Sequence, residues 1–126
     1  MTDLNIEKTN FSPSIITDIK SGLISIEGKS YPENTLEFYA PLEYLLESFF
    51  EELPSEKLIF NIEIIYFNSS SSKHFFEIFD LINDNKDKCS VEVNWIYDKD
   101  DESSFEVGEE FKEDFEDLNM NLVQKQ

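Results

Sequence analysis

The residues with the most chemistry to offer are four consecutive hydroxyls, Ser69, Ser70, Ser71 and Ser72, with Asn68 before them and Lys73 after. Short polar side chains of this kind accept hydrogen bonds from the first N–H groups of a helix, which have no partner inside it. The same helix end carries roughly half a positive elementary charge, so a phosphate ester on one of these hydroxyls would be stabilised there. Lys73, one turn beyond Ser69, adds a cation to that surrounding. The chemistry in view is acceptance of a phosphoryl group by serine. A plainer reading makes the cluster only a cap and a polar loop, but four successive hydroxyls exceed what one cap needs.

Other reactive residue types are present without a pattern around them. His74 is the single histidine and has no second histidine or cysteine at ligand spacing, so it reads as a helix-face residue and no metal site is expected. Cys89 is the single cysteine; it cannot form an internal disulfide, and it opens an alternating run, which suits a small core residue better than a nucleophile. Asp98, Asp100, Asp101 and Glu102, with Glu109 at the twelfth position, superficially follow a calcium loop. Ser103 stands where the sharp turn of that loop needs glycine, and a strand leads in where a helix should, so calcium is not expected either. Carboxylates are too numerous to single out an acid and a base, and three glycines supply no phosphate-cradling loop. The chain is read as a non-enzyme with no cofactor.

The serine cluster sits where the hydrophobic period changes. Through residues 58–67, Leu58, Phe60, Ile62, Ile64 and Tyr66 share one face of a period-two ladder. From Phe75 onward, Phe75, Phe76, Phe79 and Ile82 recur at spacings of three and four, so a helix is predicted from about Ser70 to Lys86. Before this unit, residues 14–19 and 23–28 flank Gly22 as a β-hairpin with glycine at the positive-φ position. A turn-rich connector follows, in which Asn34 and Glu37 have the form of a capping pair. Proline is tolerated at the first helical position, so the next helix is placed at residues 41–52, with a loose turn at 35–38 before it.

Beyond a polar turn at 85–88, Cys89, Val91, Val93, Trp95 and Tyr97 alternate with polar residues through a second strand. Phe105, Phe111 and Phe115 suggest a final acidic helix weakened by Gly108, and residues 120–123 a short last strand. Strands separated by helices imply right-handed parallel crossovers, and half-polar strands put the helices mainly on one face of the sheet. The expected fold is one α/β domain over residues 1–126, with residues 58–67 and 89–97 as adjacent central strands.

Composition narrows the partners. At 126 residues with 40% hydrophobic content there is material for one core. A formal charge of -18, from 28 acidic against 10 basic residues, repels nucleic acid and anionic lipid and favours a basic protein partner or simple solubility. The first residues lack a basic start followed by an apolar segment, and no run approaches the roughly 20 apolar residues of a membrane span, so a soluble cytoplasmic protein is expected.

Taken in order, Tyr31-Pro32-Glu33-Asn34, then Tyr66-Phe67-Asn68-Ser69-Ser70-Ser71 with Lys73, then Ile78-Phe79-Asp80-Leu81, and Trp95-Ile96-Tyr97-Asp98 with Asp100, Asp101 and Glu102 resemble the SiaC family of bacterial regulatory phosphoproteins over nearly the whole chain. The resemblance implies a STAS-like fold and partner switching in cyclic-di-GMP and biofilm signalling. It implies a kinase that phosphorylates the protein, a PP2C-like phosphatase that reverses this, and an unmodified form that binds and activates a diguanylate cyclase. The family's phosphoacceptor is a threonine directly after the junction asparagine, and that position here is Ser69, with Ser70 second. Asn68, Ser70, Ser71 and Lys73 then form the surroundings of the phosphate or partner. The competing expectation, from charge alone, is a constitutive acidic protein-binding scaffold or basic-surface mimic.

Overall fold

The computed structural model describes all residues from Met1 to Gln126. Six strands form one sheet, β1 (Asn5–Ile6), β2 (Ser14–Asp18), β3 (Leu23–Ser30), β4 (Lys57–Phe67), β5 (Ser90–Tyr97) and β6 (Met120–Gln124), laid side by side in chain order. The first two pairings are antiparallel and the last three parallel, so the sheet is mixed. Each parallel step is bridged by a helix: α1 (Thr35–Glu52), α2 (Ser69–Asp84) and α3 (Glu102–Asp114). Three right-handed crossovers that all advance in one direction deliver all three helices to the same face. Strand burial agrees, with Ile24, Ile26, Leu58, Phe60, Ile62, Ile64, Val91, Val93 and Trp95 buried and their alternates facing away. Because strand order never reverses, the sheet lacks the switch point at which doubly wound α/β folds hold nucleotides.

The face without helices is bridged by side-chain amides. Asn94 donates to Asn61 at 2.8 Å and Asn121 donates to Asn94 at 3.2 Å, so residues in register on β4, β5 and β6 form one ladder. The covered face is aromatic. Phe79 on α2 is fully buried, with Phe60 and Trp95 from the sheet and Phe111 and Phe115 from the α3 end within 6.5 Å of its ring centre.

Several boundaries differ from those read in the sequence, for local reasons. Helix α1 begins at Thr35, with Asn34 accepting from the Glu37 N–H, and runs straight through Pro41. Pro41 and Glu37 are both exposed, so the Glu37 carbonyl that loses its usual donor faces water. Strand β3 extends past Gly28 to Ser30, which is fully buried and no longer part of the connector. Strand β5 starts at Ser90, leaving half-buried Cys89 just outside it, packed at the core's margin; burial pushes its thiol pKa up, which disfavours the nucleophilic thiolate. Helix α2 takes in Ser69 and ends at Asp84.

Two glycines have steric reasons. Gly22 has φ of 69° after a short 3-10 turn (Ile19–Ser21), and a Cβ there would lie 1.9 Å from the Lys57 carbonyl oxygen. Gly108 does not mark a weak point in α3. It is buried, and a Cβ would come within 2.6 Å of the Trp95 ring, so its absence lets α3 seat on the sheet. The indole N–H of Trp95 completes that contact by donating to the Ser104 carbonyl at 3.0 Å.

Truncating Phe79 to alanine removes the ring at the centre of this aromatic cluster, and the loss is expected to be about 3 to 5 kcal/mol of unfolding free energy. Urea denaturation measures it; an unshifted midpoint would mean that the cluster contributes little to stability.

Candidate functional site

The site is built where β4 hands over to α2. Asn68 leaves the strand in extended conformation and caps the helix: its side-chain oxygen accepts from the Ser71 N–H at 2.8 Å and its carbonyl from the Ser72 N–H at 3.0 Å. The N–H groups of Ser69 and Ser70 remain without a protein acceptor, which leaves two donors aimed out of the positive end of the helix.

The helical turn sends the four serine side chains in different directions. Ser71 points inward and is fully buried, donating to the Ser30 carbonyl at 2.9 Å and accepting from the Ser30 hydroxyl at 2.7 Å. The Tyr39 hydroxyl lies 2.5 Å from Ser30 Oγ and completes the relay by donating to it. Ser70 is exposed but hydrogen-bonded to the Thr35 hydroxyl on α1. Ser72 is half-buried. Ser69 alone of the four is both exposed and without a hydrogen-bond partner for its hydroxyl. Of the residues predicted to surround a phosphate, the structure brings Asn68, Ser70 and Lys73 to the surface of the first turn, whereas Ser71 is withdrawn from it into the core.

Lys73 is exposed, makes no ion pair, and lines two hollows at once. One lies between α2 and α3, where Ser69, Ser72 and Lys73 meet the apolar Phe67, Phe76, Val107 and Phe111 under a rim of Glu77, Glu110 and Asp114. The other lies between the starts of α1 and α2 and is almost wholly polar. A phosphate on Ser69 would therefore have Lys73 and two backbone N–H groups on one side and three carboxylates on the other. That asymmetry turns it toward the helix end.

The sequence reading missed two features here. The Tyr39–Ser30–Ser71 relay was foreshadowed only by phase, since Ser30 continues the inward-facing series Ile24, Ile26, Gly28. The second is His74, which is not a plain helix-face residue: it is buried, stacked on Tyr39, and directed at Glu43 and Glu77. Meanwhile the calcium-like acidic stretch serves as ordinary turn chemistry, with Asp98 accepting from the Asp100 N–H and Asp101 capping α3 through the Ser104 N–H.

The model of the SiaC family regulatory phosphoproteins matches residues 6–125. An uncharacterized protein of Pseudomonas aeruginosa (strain UCBPP-PA14) is 34% identical over 115 residues, covering 90% of each chain. The structure of SiaC of Pseudomonas aeruginosa superposes with a TM-score of 0.83 at 30% identity, over 99% of this chain and 98% of that one. A chain in the crystal structure of the diguanylate cyclase SiaD in complex with its activator SiaC, from the same organism, superposes with a TM-score of 0.89 at 30% identity, over 98% of this chain and all of that one.

The buried relay has a measurable pH signature. Burial, only partly offset by the bond with Ser30, holds the Tyr39 hydroxyl well above the usual 10.0. The folded chain keeps this proton while the unfolded chain loses it above pH about 10, so the associated stability is fully present below that pH and is lost as the pH rises from there toward the folded-state value. The slope steepens through pH 10 toward a limit of about −1.4 kcal/mol per pH unit, and amounts to about −1 kcal/mol between pH 10 and 11. In Tyr39→Phe that component should vanish from urea-derived stabilities between pH 10 and 11; equal slopes in the two proteins would show that Tyr39 ionises as readily folded as unfolded.

Proposed function

This chain belongs to the SiaC family of regulatory phosphoproteins, and on that footing we propose that it is a binding protein switched by reversible phosphorylation of Ser69. The unmodified form binds and activates a diguanylate cyclase, as SiaC does for SiaD. A kinase adds the phosphate and a PP2C-like phosphatase removes it. The observation that carries the choice of residue is the division among the serines: Ser69 is exposed and unbonded, Ser70 is tied to Thr35, and Ser71 is sealed in the core.

Magnitudes decide what kind of switch this is. A phosphate adds about -1.5 to -2 charges, a small increment on a chain already at -18. Long-range repulsion therefore carries little of the signal, and the effect is local. The helix end and Lys73 accommodate the dianion without disturbing the fold, and contribute about 0.3 to 1 kcal/mol in its favour. What changes is the surface next to it. Phe67, Phe76, Val107 and Phe111 offer an apolar floor between α2 and α3, and the acidic rim of Glu77, Glu110 and Asp114 suits a partner with basic flanks. A partner seated there would desolvate the phosphate, at a cost of about 3 kcal/mol or more, which is a hundredfold in affinity.

The test compares wild type, Ser69→Ala and the Ser69-phosphorylated protein for affinity toward the cyclase of the same cells, alongside their melting temperatures. Wild type and Ser69→Ala are expected to bind equally, and the phosphorylated protein at least a hundredfold more weakly at an unchanged or slightly higher melting temperature. Equal affinity in all three would remove Ser69 from the mechanism and favour a constitutive acidic scaffold.

A further inference from the structure

We infer that Glu43, His74 and Glu77 form a binding site for one divalent transition-metal ion of the zinc class, clamping α1 to α2. The three residues come from two helices, with His74 and Glu77 three apart on α2 and Glu43 facing them from α1. His74 Nδ1 lies 3.1 Å from a Glu43 oxygen and 3.6 Å from a Glu77 oxygen, and the donor atoms all fall within 4.8 Å of one another. Metal–nitrogen and metal–oxygen bonds of about 2.0 to 2.1 Å in a tetrahedron place the donor atoms about 3.3 to 3.4 Å apart. The two distances from the imidazole bracket that edge length, while the two carboxylate oxygens lie within 4.8 Å of each other, an edge that a turn of the Glu77 side chain would close.

Hydrogen bonding accounts for this arrangement only in part. A proton on Nδ1 is within hydrogen-bond reach of Glu43 and leaves Glu77 beyond it. Two carboxylates thus converge on one nitrogen with a single bond between them, a gathering of negative charge that a dication would neutralise. The imidazole is also held in place, with His74 about nine-tenths buried and its ring stacked on Tyr39 at 5.8 Å between centres. Glu77 is half-exposed, so the one ligand that must swing to close the site is free to do so. Its neighbours favour cation entry: His74 and Glu77 line the polar hollow between α1 and α2 together with Glu33 and Glu37, while Lys73 is the single opposing charge there. One imidazole with two carboxylates suits zinc and its first-row neighbours, and water would fill the remaining coordination.

The test titrates zinc into the full chain against a chromophoric chelator, in wild type, Glu43→Gln, Glu77→Gln and Cys89→Ser. One equivalent per chain is expected for wild type and for Cys89→Ser, with each glutamine variant weakened at least tenfold. Cobalt should give wild type a visible d–d absorption band that Glu77→Gln lacks, and zinc should raise the melting temperature of wild type but not of Glu77→Gln. Since Glu77 is half-exposed, its variant is expected to fold, and melting in the absence of metal verifies this. Weak multiple binding of the sort any acidic surface gives, or undiminished stoichiometric binding by both glutamine variants, would overturn the assignment.

Discussion

The carbonyl of Ser30 accepts two hydrogen bonds from the other end of the molecule's organising unit, from the Asn68 N–H at 3.1 Å and from the Ser71 hydroxyl at 2.9 Å. Through them the last residue of β3 fixes where β4 stops and where α2 starts. The Ser30 hydroxyl extends the link to Tyr39 on α1. One buried peptide group and three buried hydroxyls therefore tie together two helices and a strand. In a low-dielectric interior each of these groups is costly to leave unpaired, so the geometry of the junction is closely determined. On the outward side of the same turn Ser70 is tied to Thr35, and Ser69 alone is left with a free hydroxyl, beside two N–H groups without a protein acceptor.

This separation of inward and outward roles suits a local switch. A modification that had to reorganise the core would compete with folding, and marginal stability leaves little room for that. Here the inward hydroxyls hold the helix start and the outward one changes its chemistry at little cost to the fold. The sheet contributes by exclusion. With no reversal of strand order, the sheet offers no crevice of the doubly wound kind, and the two hollows that Lys73 lines lie between neighbouring helices. Binding surfaces are consequently left to the seams between helices.

Much of this was legible in the residues because the period of hydrophobicity is unambiguous where the core is thickest. Strands β4 and β5, helix α2, and the junction at Asn68 follow from alternation, from spacing of three and four, and from capping chemistry. The start of α1 was written in the Asn34–Glu37 capping pair but masked by Pro41, which argues locally for a helix beginning there until its exposed position is seen to let water replace the missing donor. Gly108 likewise looks like a weak helical residue until its contact with Trp95 is seen. The convergence of Glu43 on His74 spans 31 residues, and no local pattern distinguishes that glutamate from the other acidic residues of the chain. Tertiary contacts decide the last two.

The central claim is that Ser69 carries the regulatory phosphate. Recovering the protein from its own cells and sequencing phosphopeptides across residues 61–73 by mass spectrometry tests it most directly. The account predicts a modified fraction with phosphate on Ser69 and none on Ser71, which lies fully buried. Phosphate on Ser71, or a chain that is unmodified whatever the growth condition, would contradict it.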